Sequence, residues 1–270
     1  MPELPEVESA RAAIERSGLH RTITDVDDTD TYECRPHPPG EIRDALVGHQ
    51  LVAAHRRGKS IWCEVGGAGS PTLGIHLGMS GRIVIAGPEG EDEGGDYQGS
   101  GRRADPRRRK EEWFRFTLTF DGGARLRLLD PRRLGRIRLD PDIDALGPDA
   151  EQVGREEFRS RIGWGTAPVK ARLLDQASIA GVGNLLADEV LWQARIDPRR
   201  PAGGLSTDEL DELRRRLRRA IRDAHRDGGV HTLEIVEHRG RGGHCPRCGA
   251  ELARATVGTR TTWWCPREQV

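Results

Sequence analysis

The chain has 270 residues, 43 basic and 43 acidic, so its formal net charge is zero, and only 35% of residues are hydrophobic and 4% aromatic. That apolar share suits two modest domains better than one large core. No apolar run reaches bilayer length, acids occupy the stretch where a secretion signal would be basic and apolar, and two of the five cysteines (Cys34, Cys63) stand alone, so the expectation is a soluble, intracellular protein and not a secreted disulfide scaffold.

In chain order, Val7, Ala10 and Ile14 recur on one face of an opening helix that Gly18 is placed to end. From about residue 50 the period changes, and residues 59–65 and 72–77 read as strands about a Gly-Gly-Ala-Gly-Ser-Pro turn. The clearest hairpin follows. Phe114, Phe116, Leu118 and Phe120 alternate with polar residues, Asp121-Gly-Gly turns, and Leu126 and Leu128 alternate with Arg125 and Arg127. Roughly the first half of the chain is therefore expected to be an antiparallel β domain. Residues 87–110, glycine-rich and almost without apolar side chains, read as a mobile surface insertion.

After about residue 150 the pattern is helical. Thr166 and Pro168 suit a helix start, with Leu173 and Leu174 as its buried side; Gly181-Val-Gly183 breaks it, and Asn184 is placed to cap the next helix, which carries Leu185, Leu186, Val190 and Leu191. A third helix is the best-defined element. Ser206 and Glu209 make a capping box, Leu210, Leu213, Leu217, Ile221 and Ala224 form its apolar stripe, and Gly228 and Gly229 stop it.

The zero net charge conceals two asymmetries. Residues 1–50 hold eleven acids against five arginines, whereas residues 101–140 hold thirteen basic residues against six acids, so a polyanionic partner is not excluded. Only Lys59, Lys110 and Lys170 are lysines among the 43 basic residues. A GC-rich genome accounts for such a bias, and a lysine kept against it is a candidate for work that a guanidinium cannot do.

At the other end, Cys245-Pro-Arg-Cys248 and Cys265-Pro-Arg-Glu268 form two knuckles of equal spacing. Two such pairs can complete a tetrahedral zinc site, here with three thiolates and the Glu268 carboxylate. Two alternatives stay open: His244 as the fourth ligand, or a metal-free finger held by the packing of Trp263 and Trp264. At the N-terminus, removal of Met1 would leave Pro2 as an exposed secondary amine with a pKa of about 7.7–8.0, able to attack an aldehyde-level carbon and form a cationic iminium. Glu3 is the nearest acid/base partner, and its plain alternative, like that of Glu6, is a favourable seat at a helix N-terminus.

The opening MPELPEVE, Arg57-Gly-Lys59, HLGMSG at 76–81, DPRRLG at 130–135, GVGN at 181–184 and the C-terminal knuckles occur in one order. Together they resemble the formamidopyrimidine-DNA glycosylase and endonuclease VIII family, over essentially the whole chain. The resemblance implies an α+β protein: a catalytic antiparallel β-sandwich over 1–140, a helix–two-turn–helix DNA-binding domain over 150–230, and a zinc-finger hairpin over 238–270 with one structural zinc. It implies a monomer acting on double-stranded DNA with damaged bases or abasic sites, in the cytoplasm at the nucleoid. Pro2 would be the nucleophile on the sugar C1′ and Glu3 the general acid/base. Lys59, Lys170, Asn184 and Arg260 would grip phosphates, and Glu6 and Glu189 would support the site. Met79, Arg132 and Leu134 match the residues that plug the gap left by an extruded base.

Two departures from the family pattern stand out. Leu134 replaces a usual Phe, which bears on discrimination of the opposite base. Only fifteen residues separate Gly229 from Cys245 and none is Tyr, which argues against efficient 8-oxoguanine excision. His231, His238 and Arg239 to Arg241 are candidates to line the altered pocket. The implied activity is base excision followed by β,δ-elimination. The rival reading is a non-catalytic member of the same family that recognises damaged or unusual DNA. A zinc-ribbon module alone leaves the N-terminal residues unexplained.

Overall fold

The computed structural model describes residues 2–88, 90–95 and 109–270. Helix α1 (Leu4–Ser17) turns Val7, Ala10 and Ile14 inward, as their spacing requires. A five-stranded antiparallel sheet then forms from β1 (Ile23–Asp27), β5 (Arg82–Gly87), β6 (Gly90–Gly95), β7 (Phe114–Phe120) and β8 (Arg125–Leu129), in the order β1-β7-β8-β5-β6. A four-stranded antiparallel sheet runs β2 (Leu51–Arg57), β3 (Ser60–Val65), β4 (Thr72–His76) and β9 (Arg136–Leu139). The alternation in β7 and β8 buries Phe116, Leu118, Phe120, Leu126 and Leu128, but not Phe114, where the register shifts and the half-buried ring packs under the Arg127 guanidinium. They share one core with Ile61, Cys63, Leu73 and Ile75 of the other sheet, with α1, and with Ile42 and Leu46 of α2 (Glu41–Leu46). Each such side chain contributes about 1.5–3 kcal/mol.

Part of the expected insertion is strand instead. Residues 90–95 pair with β5, and their glycines have a packing reason: a Cβ on Gly94 would lie 2.2 Å from the Ser9 carbonyl oxygen of α1. Glycine in a strand marks close backbone approach as readily as a loop. Arg109 pins this strand from the far side, with Nη2 at 2.6 Å from Glu93 and Nη1 at 2.8 Å from Glu91. The remainder of the expected insertion, 96–108, lies outside the described residues.

The later residues build α3 (Arg155–Ile162), α4 (Val169–Leu174), α5 (Asn184–Gln193), α6 (Thr207–Asp227) and the hairpin β10 (Ala253–Val257) with β11 (Arg260–Trp264). In α6 the capping box is complete: Ser206 Oγ accepts from Glu209 N at 3.3 Å and Glu209 Oε2 from Ser206 N at 2.7 Å. Its stripe of Leu210, Leu213, Leu217, Ile221 and Ala224 is buried, and Gly228 takes φ 94° to end it. By contacts the chain divides into two units. One comprises Pro2 with Glu6 to Ile143, and the other Glu3–Pro5 with Asp144 to Val270. The fold is α+β. No helix of the described residues is long and apolar enough to cross a membrane.

Candidate functional site

In the second unit the chemistry gathers at the N-terminus of α5. Its N-cap is Gly183, not Asn184, and glycine has no side chain to offer the free N–H groups. The Glu3 carboxylate takes that place, accepting from Gly183 N (3.0 Å), Leu185 N (2.8 Å) and Leu186 N (3.0 Å). The same contact explains a motif glycine, since a Cβ on Gly183 would sit 2.2 Å from the Glu3 carboxyl carbon. Asn184, one residue into the helix, turns its Nδ2 to the Thr261 carbonyl on β11 at 3.0 Å. Glu189 is buried further along, its Oε2 accepting Ile235 N at 2.9 Å and its Oε1 Gln193 Nε2 at 2.9 Å; burial lifts its pKa above the ordinary range.

Lys170 requires a correction. It is fully buried, with Nζ at 2.6 Å from Asp188 Oδ1 and 2.7 Å from Thr262 Oγ1, so its ammonium does not reach outward to a phosphate. Asp188 Oδ2 accepts from Arg239 Nε at 2.8 Å, so Arg239 is committed to the network and not to a pocket wall. Burial lowers the Lys170 pKa and raises that of Asp188, and their mutual attraction opposes both shifts. The network ties α4, α5 and β11 together, and β11 begins with the exposed Arg260.

In the first unit two loops meet. A Cβ on Gly78 would lie 2.4 Å from the Leu134 carbonyl oxygen, so the HLGMSG and DPRRLG loops touch backbone to backbone. Buried Asp130 joins them: Oδ1 accepts from Ser80 Oγ at 2.7 Å and Arg132 N at 3.0 Å, and Oδ2 from Leu134 N and Gly135 N, each at 2.8 Å. The result exposes Met79 (37%), Leu134 (36%) and Arg132 on adjoining loops. Sequence reasoning passed over Asp130, whose signal is its place at the head of the DPRRLG motif. It also passed over Glu33, a buried carboxyl with no hydrogen-bond donor among the described residues. Burial and the neighbouring Asp130 push the Glu33 pKa up to about 9.

Gly58 and Lys59 make the two-residue turn between β2 and β3, which places Lys59 at a strand end. His76, missed except as part of its motif, pairs through its strand with Ser60. Burial, then Lys59 and Arg138, hold its pKa below the ordinary value, and its Nδ1 accepts Gly78 N at 3.1 Å, leaving hydrogen on Nε2 of a neutral ring. Pro2 is buried rather than exposed, and Glu6 is buried in α1. With Met1 attached the Pro2 nitrogen is a tertiary amide without nucleophilic character.

At the C-terminus the sulfurs of Cys245, Cys248 and Cys265 lie within 4.8 Å of one another, and those of Cys248 and Cys265 are 3.5 Å apart. Three converging thiols fit a zinc ion. Neither Glu268 nor His244 joins the cluster: the Glu268 carboxylate is drawn to Arg195, 3.6 Å away, and His244 pairs in a bridge with Glu251. The four-ligand register expected from spacing is thus a three-cysteine cluster.

A paired-sheet unit carrying a two-loop exposed tip, and a helical unit ending in a cysteine-clustered hairpin, define a DNA glycosylase architecture, and similarity to known proteins supports it. Family models match residues 1–137 as a formamidopyrimidine-DNA glycosylase N-terminal domain and residues 145–234 as a formamidopyrimidine-DNA glycosylase H2TH domain. A formamidopyrimidine-DNA glycosylase of Chloroflexus aurantiacus is 32% identical over 100% of this chain and 98% of its own. Among solved structures, a complex of the Lactococcus lactis Fpg with DNA containing an abasic site is similar at TM-score 0.80 and 25% identity over 99% of each chain. A MutM complex with DNA containing carbocyclic 8-oxo-G is similar at TM-score 0.81 and 26% identity over 99% of each chain. The chain belongs to the formamidopyrimidine-DNA glycosylase family.

Proposed function

We propose that this protein is a bifunctional base-excision enzyme on double-stranded DNA: a glycosylase that also nicks the strand as an AP lyase. The observation that carries the reading is the exposed Met79, Arg132 and Leu134 held on two loops by Asp130. Extruding a base costs a few kcal/mol and leaves a gap, and a prebuilt wedge offsets that cost.

Removal of Met1 turns the Pro2 nitrogen into a secondary amine. Its lone pair attacks C1′ of the damaged nucleotide, and the glycosidic bond breaks with the base leaving protonated. The Pro2 nitrogen loses its proton and its lone pair opens the sugar ring: the C1′–O4′ bond breaks, O4′ takes a proton, and C1′ becomes an iminium carbon. Loss of a C2′ proton then expels the 3′ phosphate, and loss of the C4′ proton expels the 5′ phosphate. Glu3 moves the protons from its seat at the α5 N-terminus. Lys59 and the Nε2–H of His76 hold a phosphate beside the lesion, and Arg260 and the Asn184 end of α5 hold others. Lys170 acts indirectly, fixing β11 and hence Arg260. Cys245, Cys248 and Cys265 would hold a zinc ion, which when bound cross-links the hairpin.

The substrate class we infer is oxidised pyrimidines or ring-opened purines, with 8-oxoguanine a poor substrate. The short 229–245 stretch is fastened down, through Ile235 to Glu189 and Arg239 to Asp188, and so is no free flap over a purine.

Borohydride trapping on a panel of damaged duplexes tests the reading. Expected is a covalent complex on an abasic-site duplex and on oxidised-pyrimidine duplexes, weaker on 8-oxoguanine, and none when Met1 is retained or the terminus acetylated. Trapping by a blocked terminus would move the nucleophile to Lys59. Binding without any trapping would favour the non-catalytic member of the family.

A further inference from the structure

The segment from Asp25 to Glu33 holds five acids in nine residues, a poor face for DNA at first sight, yet its carboxylates are largely spent locally. Asp25 pairs with Arg43 at 2.9 Å, and Asp27 accepts from Thr29 Oγ1 at 2.6 Å. Asp28 accepts from Gly40 N, Ile42 N and Arg43 N at the start of α2. Asp30 pairs with Arg133 at 2.8 Å and lies 3.7 Å from Arg115, and Glu33 is buried. What the segment presents outward is the Tyr32 ring, 44% exposed. The guanidinium carbons of Arg35, Arg136 and Arg133 stand 3.8, 5.0 and 5.7 Å from the ring centre. Arg133 belongs to the wedge loop itself, next to Arg132 and Leu134, and Arg136 follows it on β9. Among the described residues no side chain pairs with Arg132.

We infer that Tyr32, framed by Arg35, Arg133 and Arg136, is a stacking platform for an unpaired DNA base beside the wedge, with the arginines on the phosphates of the same nucleotide run. An exposed ring among guanidiniums suits a base face and its backbone together. In an intact duplex both faces of a base are covered by neighbours, so a free face appears only where pairing and stacking have been disrupted. Extrusion of a damaged nucleotide unpairs the base left opposite, and insertion of an apolar wedge beside it kinks the strand and unstacks one of its faces. Leu134, being aliphatic, supplies wedge volume but no π-face, and Tyr32 supplies the π-face from the adjoining loop. This inference rests on the proposed DNA-repair function and adds to it a determinant for the opposite base.

The test is fluorescence anisotropy with the full chain and labelled duplexes, one intact and four carrying a tetrahydrofuran abasic analogue opposite each base. Tyr32→Leu keeps bulk without a π-face, and Tyr32→Phe keeps the ring. Stacking strength predicts a loss of about tenfold for Tyr32→Leu on abasic duplexes with a purine opposite. The loss should be smaller opposite a pyrimidine and absent on intact duplex, while Tyr32→Phe stays near wild type. Equal affinity of Tyr32→Leu and wild type on abasic duplexes overturns the inference, and so does an equal loss on intact duplex. A wild type that binds abasic and intact duplexes alike overturns the proposed function and the inference with it.

Discussion

Replacing Glu33 with Gln should flatten a pH dependence of stability that the wild type shows between pH 6 and 8. The Glu33 carboxyl is buried, finds no donor among the described residues, and faces Asp130, whose oxygens already accept four hydrogen bonds. Asp30 lies near as a further negative charge and Arg115 as the opposing positive one, and the balance leaves the Glu33 pKa at about 9. At neutral pH the group therefore keeps its proton and donates it towards Asp130. The unfolded chain has the ordinary glutamate pKa of about 4.3, so between that value and about 9 the native state binds one more proton. Stability from this group is complete below the unfolded pKa and falls as pH rises through the folded one. At about 1.36 kcal/mol per pH unit, two units cost at most about 2.7 kcal/mol. Gln keeps a donor towards Asp130 and does not titrate. Urea unfolding of wild type and Glu33→Gln at pH 6, 7 and 8 gives a difference in which other titrating groups cancel. The wild type should lose up to that amount relative to the variant. Parallel pH profiles would mean that Glu33 is already ionised in the fold and that the 130–135 loop does not depend on its proton.

Lys170→Met should destabilise the protein by about 3 kcal/mol, because it strips a partner from buried Asp188. Arg260→Ala should lower the salt slope of DNA binding by about 0.9, and because Lys170 acts only through Arg260 the double variant Lys170→Met/Arg260→Ala should fall no further; a further drop in the double variant would restore Lys170 as a phosphate ligand. Metal analysis should find one zinc per chain in wild type and in Glu268→Ala, and none in Cys265→Ser. Loss of zinc from Glu268→Ala would return Glu268 to the ligand set, and a wild type without zinc would leave the finger to packing around Trp264.

Features carried by nearest neighbours were legible in the sequence alone. The α6 capping box and stripe depend on residues three and four apart. The β7–β8 hairpin depends on alternation about one Asp-Gly-Gly turn, and the cysteine cluster on one complete C-x2-C knuckle with a third cysteine in register, although the Glu268 position that the spacing also offered does not join it. The ordered motifs placed the chain in its family and named the two loops that meet at Asp130. Tertiary structure alone decided what each polar side chain meets. Glu3 and Gly183 are 180 positions apart, and only folding shows the carboxylate filling the place of a missing N-cap. Lys170 reads from its motif as a cation for a phosphate until Asp188 and Thr262, 18 and 92 positions away, are seen to enclose it. The glycines of β6 read as loop because their cause is the Ser9 carbonyl, far away in sequence. Glu33 and Asp130 likewise acquire their meaning from each other: hydrophobic period is a local quantity, whereas desolvation and hydrogen-bond satisfaction are set by whatever the fold brings alongside.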